Sequence, residues 1–147
     1  VLPERLDDLI AELRDADRQE RIELLIDLAK SLKPLPPRLE ALKDATHRVE
    51  ECQSPVYLFV ELDGDHVQLF ADAPIEAPTV RGFVSLLIEG LDGGTVADFQ
   101  NLPLDLVQRC GMLEILGMQR ISGLSAMVRR LKAMVNRAAA AQASSNP

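Results

Sequence analysis

Four side chains in this sequence have types suited to nucleophilic, redox or metal chemistry: Cys52, Cys110, His47 and His66. None belongs to a CxxC or to a paired Cys/His spacing of the kind a zinc site or a dithiol centre requires, so a structural metal is not expected. Two cysteines are too few to staple a domain of this size, and a disulfide between them would not persist in a reducing compartment. Each is therefore read separately. Cys110 follows Leu106 and Val107 in a stretch that looks helical and half-buried, where a free cysteine is most often a small buried hydrophobe. Cys52 lies in the polar segment EECQSP just before an alternating apolar run. A loop thiol can change its surroundings, and only the thiolate attacks sulfur, at a rate set by access and by thiolate fraction. Its neighbours pull in opposite directions: Glu50 and Glu51 raise a thiol pKa, whereas Arg48 and His47 lower it.

The signatures of most enzyme classes are missing. The sequence contains no phosphate-cradling glycine loop, no GxSxG and no HExxH. The acids are many but scattered over helix faces, which reads as solvated surface. A formal charge of −7 and a pI near 4.8 argue against nucleic acid, whose phosphates demand a basic face. No apolar run approaches the roughly 18 residues of a membrane helix, and no charged segment followed by an apolar one opens the chain; a cytoplasmic, non-membrane protein is expected.

The elements that must position Cys52 follow from periodicity. Leu6, Leu9, Ile10 and Leu13 predict an amphipathic helix over Glu4–Arg14. Asp17 and Glu20 have the offset of a helix-starting cap, and Ile22, Leu25, Ile26, Ala29 and Leu32 mark the stripe of a second helix. KPLPPR, residues 33–38, excludes helix and central strand and reads as a stiff connector. Alternation over Val56–Leu62 and Val67–Ala71 about Asp63-Gly64-Asp65 predicts a β-hairpin, with a third short strand over Thr46–Val49. Pro78 opens a helix whose apolar positions run from Val80 to Leu91, and short helices are expected over Thr95–Phe99 and Pro103–Cys110. Periodicity does not assign Leu113–Met118. Ile121, Leu124, Val128, Leu131 and Val135 predict a long C-terminal helix, and the tail beyond Arg137 loses its stripe and is expected to fray.

The length of 147 residues suits a single core that buries roughly 68–70% of the unfolded surface. We therefore expect one domain over residues 1–137 and a frayed tail over 138–147. The order of elements implies an α+β class, with a small antiparallel sheet of about three strands and helices packed on one face.

Taken in order, these residues resemble the SufE and CsdE proteins, sulfur acceptors for cysteine desulfurases in iron–sulfur cluster assembly. The resemblance covers most of the chain: LPERLDDLIAEL and the PLP segment, then Val49, Cys52, Gln53, Ser54, Val56 and Tyr57, then Ala71, Asp72, Val80, Arg81 and Gly82, and finally Arg120, Gly123 and Leu124. Glu51 departs from it where a glycine is common, and Tyr57 where a tryptophan is frequent.

The resemblance implies the fold shared with IscU-type scaffold proteins and makes Cys52 the thiol that receives sulfane sulfur as a persulfide. It places Arg120 near the cysteine loop as support for an anionic sulfur, with an ordinary surface charge as the other reading. Glu51, Gln53 and Asp72 become candidate partner-interface residues, although Asp72 reads equally as the end of a strand. No cofactor is expected on this chain: pyridoxal phosphate would reside on the partner, a SufS- or CsdA-type cysteine desulfurase, and the recipient would be a scaffold such as the SufBCD complex. Independent turnover is not expected. Two other readings remain, a module that binds and regulates a desulfurase without carrying sulfur, and an iron–sulfur scaffold. The scaffold would need several converging ligands where only Cys52 is well placed.

Overall fold

The structure is a computed structural model that describes residues 2–145. Helix α1 spans Glu4–Asp15 and buries Leu6, Leu9, Ile10 and Leu13, the expected stripe. Helix α2, Arg18–Ser31, starts where the Asp17 side chain accepts the Glu20 N–H at 2.8 Å, as its cap spacing predicts. Its buried line is Arg21, Leu25 and Ala29, which leaves Ile22 and Ile26 half-exposed. The connector then runs without regular structure until α3, Pro37–Glu40. Here the expectation is corrected: a proline excludes the interior of a helix but suits its first turn, and Pro37 opens one.

Strands β1, Tyr57–Asp63, and β2, His66–Asp72, pair antiparallel from Tyr57↔Asp72 to Asp63↔His66. Gly64 sits at φ +62° in the two-residue turn and no other non-proline position there needs positive φ, the condition of a II′ turn with glycine first. The expected third strand is reduced to a single bridge, Arg48↔Tyr57, because the chain leaves the ladder again at once to form the Cys52 loop. The sheet therefore has two strands.

Helix α4, Pro78–Leu91, is the buried centre and packs against α2, α1 and β2. Short helices α5, Val96–Gln100, and α6, Leu106–Arg109, follow, and the unassigned stretch becomes a 3-10 turn over Met112–Glu114. Thr95 and Asp98 form a reciprocal capping box that starts α5. Helix α7, Met118–Ser145, buries Ile121, Leu124, Val128, Leu131 and Val135 and lies against β1, α5 and α6. Within the described residues the tail expectation is also corrected: α7 continues past Arg137, since Ala138–Ala141 have the best intrinsic helix propensity, and Gln142 donates to the Gly64 carbonyl at 2.8 Å. Residues 146–147 of that tail lie outside the described residues. The other sheet face is not bare, because Leu35 and Leu39 cover Phe59, Tyr57 and Phe70 in a small second cluster.

Arg21 joins segments far apart in the chain. Its guanidinium is buried and donates to the carbonyls of Leu13, Arg14, Ala16 and Gly111 and to the Glu114 carboxylate, at 2.8 to 3.1 Å. Such saturation is what permits a buried charge. Beside it Cys110 is fully enclosed, and burial pushes its thiol up to about 12, against a smaller opposing pull from Arg21.

Two outcomes are expected. A Cβ on Gly82 would overlap the Leu25 carbonyl oxygen and lie 2.8 Å from its carbonyl carbon, so Gly82→Ala must part α4 from α2. Overpacking of this kind costs about 1–3 kcal/mol, and the melting temperature should fall by roughly 3–10 °C even though alanine is the better helix former; calorimetry checks it. Cys110 holds its proton more tightly folded than unfolded, where a thiol titrates near ~8.5, so its contribution is complete below that pH and is lost as pH rises toward about 12. Urea midpoints should fall more steeply with alkaline pH in the wild type than in Cys110→Ala, and parallel profiles would exclude Cys110 as the source.

Candidate functional site

The bridge Arg48↔Tyr57 and the bond from Val49 N–H to the Val56 carbonyl, 2.9 Å, pinch the chain into a loop over Glu50–Pro55. Val49 and Val56 are fully buried and anchor both feet of that loop in the core. Within it the Cys52 N–H donates to the Val49 carbonyl at 3.2 Å and the Val56 N–H to the Ser54 carbonyl at 2.9 Å. Polar residues at the tip keep it out of the sheet, and these local bonds satisfy part of its backbone.

Cys52 points inward and is 6% exposed, while Glu51 and Gln53 on either side are exposed. The loop rests on α7 at Gly123, where a Cβ would stand 3.1 Å from the Cys52 Cα and 3.5 Å from its Cβ. Cys52, Gln53, Ser54, Val80, Gln119, Arg120 and Gly123 enclose a cavity of about 10 Å³. That is at most the space of one water, which needs ~10–15 Å³ on the same measure.

Burial raises the Cys52 thiol pKa; the Ser54 backbone N–H, Arg120 and Arg48 act in the opposite direction and do not overcome it. At neutral pH the enclosed group is therefore a thiol, a poor nucleophile. The arrangement stores a protected sulfur with two cations close enough to favour its anion once desolvation is relieved.

Of the residues singled out from sequence, Cys52, Gln53 and Arg120 meet at this cavity, with Arg120 exposed in the first turn of α7. Glu51 sits on the loop but does not line the cavity. Asp72 is elsewhere: it ends β2 opposite Tyr57, is ion-paired to Lys43 and lies 3.8 Å from Arg81. Cys110 belongs to the Arg21 corner. Sequence reasoning did not identify Gln119 or Val80 as walls, nor Gly123 as the seat of the loop. A glycine inside the buried stripe of α7 was the available signal for close backbone approach. Among the described residues no group of three or more His, Cys, Asp or Glu side chains is placed to hold a metal ion, and no helix is long and apolar enough to cross a membrane.

Residues 7–135 match the SufE family model, described as an Fe-S metabolism associated domain. The chain is 37% identical over 132 residues to an uncharacterized SufE-like protein of Mycobacterium tuberculosis, covering 89% of this chain and 91% of the relative. An uncharacterized SufE-like protein of Synechocystis is 32% identical over 124 residues, covering 84% and 75%. The solution structure of a hypothetical protein from Thermus thermophilus superposes with a TM-score of 0.82 at 30% identity, covering 95% of this chain and 99% of the other. With the family model matching residues 7–135 and these relatives covering 84% and 89% of the chain, the chain belongs to the SufE family and is thereby associated with iron–sulfur metabolism.

Proposed function

We propose that this protein is a sulfur carrier: Cys52 takes sulfur from the persulfide of a cysteine desulfurase, stimulates that enzyme by clearing its product, and passes the sulfur on to iron–sulfur cluster assembly in the cytoplasm. The observation that carries this reading is the single thiol held under α7, with Arg120 at its rim. The step balances without an outside oxidant. The Cys52 thiolate attacks the outer sulfur of the donor persulfide; a new S–S bond forms on Cys52 as the donor S–S bond breaks. The donor cysteine leaves as a thiolate and takes up a proton equivalent to the one Cys52 released. Pyridoxal phosphate chemistry stays on the desulfurase, and a scaffold of the SufBCD kind would remove the sulfur by the same exchange in a second step.

The resting cavity has no room for a second sulfur atom, so loading requires the loop to lift from Gly123. Exposed Glu51 and Gln53 are the loop residues a partner would meet. Lifting removes the desolvation that raises the thiol pKa and leaves Arg120 and Arg48 as the residual influences, both favouring thiolate. In the closed state the same burial keeps the sulfur from the sulfenic and sulfinic oxidation open to exposed thiolates.

The enclosure of Cys52 also suits a module that binds a desulfurase without carrying sulfur, and one experiment separates the two. Incubation with cysteine and a SufS-type desulfurase should add one sulfur, removable by DTT, to the wild type and none to Cys52→Ser, as read by intact-mass spectrometry. Equal stimulation of the desulfurase by both forms, with no mass added to either, establishes the regulatory module instead. Arg120→Ala should slow alkylation of the opened thiol by roughly two- to fivefold and displace its pH profile upward, because removing a cation favours the protonated form. Arg120→Lys should restore both, and an unchanged profile would remove Arg120 from the mechanism.

A further inference from the structure

A larger groove lies away from Cys52, between the connector and the outer edge of β2. It measures about 630 Å³, with residues 31–36 forming one wall, Leu69, Phe70 and Ala71 of β2 another, and Ser85, Ile88 and Glu89 of α4 with Asp92 completing it. The backbone register shows what β2 offers there. The Leu58 N–H donates to the His47 carbonyl, away from β2, so Leu58↔Ala71 and Val60↔Leu69 are non-hydrogen-bonded pairs. The backbone groups of Val67, Leu69 and Ala71 accordingly point outward, away from β1.

The protein's own chain satisfies the first part of this edge. Val67 exchanges hydrogen bonds with Gly93 and Gly94 at 2.7 Å, and the Asp92 carboxylate accepts the Leu69 N–H at 2.8 Å in the place a neighbouring strand's carbonyl would occupy. Beyond that point the cover ends. The Leu69 carbonyl and the Ala71 N–H and carbonyl have no hydrogen-bond partner among the described residues, although Leu69 and Ala71 are nearly fully buried. Ser85 is 1% exposed and lines the same groove. Unpaired backbone groups in a buried setting are costly, and here one donor and two acceptors face one cavity.

We infer that this groove docks an extended peptide segment of a partner protein, which adds to the β2 edge as a strand at Ala71. One residue of the segment would exchange both backbone bonds with Ala71, and the residue two positions on would donate to the Leu69 carbonyl. Every second side chain of an added strand points to the same side, so the apolar wall of Leu32, Leu35 and Ile88 selects an apolar residue. Asp92 and Glu89, the latter already paired with Arg5 at 2.9 Å, face Lys33 in a chain of net charge −7, so a lysine or arginine beside that apolar residue is favoured over an acid.

The test uses a display library of random octapeptides panned on the full chain under reducing conditions. Enriched peptides should alternate apolar residues with a flanking lysine or arginine. A synthetic member should shift the amide resonances of Leu69, Ala71 and Ser85 in isotope-labelled protein, and N-methylation of its central amide should weaken binding about tenfold, the effect of a lost and unreplaced hydrogen bond. Ala71→Pro, which removes an N–H that the β1–β2 ladder does not use, should weaken it equally, and the N-methyl comparison stands on unaltered protein should that variant not fold. Absence of enrichment, shifts centred on another face such as the Cys52 loop, or indifference to N-methylation would overturn the inference. Binding should be the same in Cys52→Ser, so this result is independent of sulfur transfer.

Discussion

Helix α4 can lie in the centre of this fold because two of its positions carry no side chain. Gly82 brings its backbone against Leu25 of α2, and Gly90 admits Leu6 of α1 to within about a van der Waals contact of the helix surface. With both N-terminal helices held this close, the opposite face of α4 is free to carry β2, and Phe83, Val84, Leu86 and Leu87 fill the space between. Both cavities discussed above inherit their walls from this placement. Val80, near the start of α4, closes the Cys52 cavity, and Ser85 and Ile88, one to two turns later, line the groove beside β2. A displacement of α4 would therefore be felt at both, which makes its packing the common mechanical reference of the molecule.

What periodicity could read was what is local. The stripes of α1, α4 and α7, the Asp17 cap and the Gly64 turn each depend on residues within a few positions of one another, and all were legible. Arg21 was not. Spacing puts it in line with Leu25 and Ala29, but a charged side chain there reads as surface, and its burial depends on carbonyls from Leu13 to Gly111 that only tertiary folding brings together. The same non-locality explains the third strand: Thr46–Val49 has suitable residues, but whether they make a ladder or a single bridge is decided by how soon the chain must turn aside into the loop. At the site, Cys52 was legible as a loop thiol, and the resemblance supplied a role; its enclosure was not legible, because a polar segment such as EECQSP predicts exposure and gives no hint of the glycine on α7 that receives it. Asp72 ends β2, one of the two readings its sequence position allowed, and its ion pair with Lys43 could not be read from spacing.

Under the proposed carrier role, the placement of Cys52 resolves two requirements that oppose each other. A sulfur acceptor must present a thiolate, yet a standing exposed thiolate is open to oxidants. Desolvation within the closed loop suppresses the anion, and Arg120 and Arg48 nearby ensure that the suppression comes mainly from burial and not from the charges. On that proposal reactivity is governed by the lifting of the loop. Glu51 lies at an exposed loop position and its side chain does not line the cavity, so its charge leaves the enclosure of Cys52 unaltered, and under the proposed function it is a charge that a partner would meet. The loop can thus vary in its outward residues without changing the chemistry it shelters, provided that Cys52, the bonds at Val49 and Val56, and the glycine beneath it are kept.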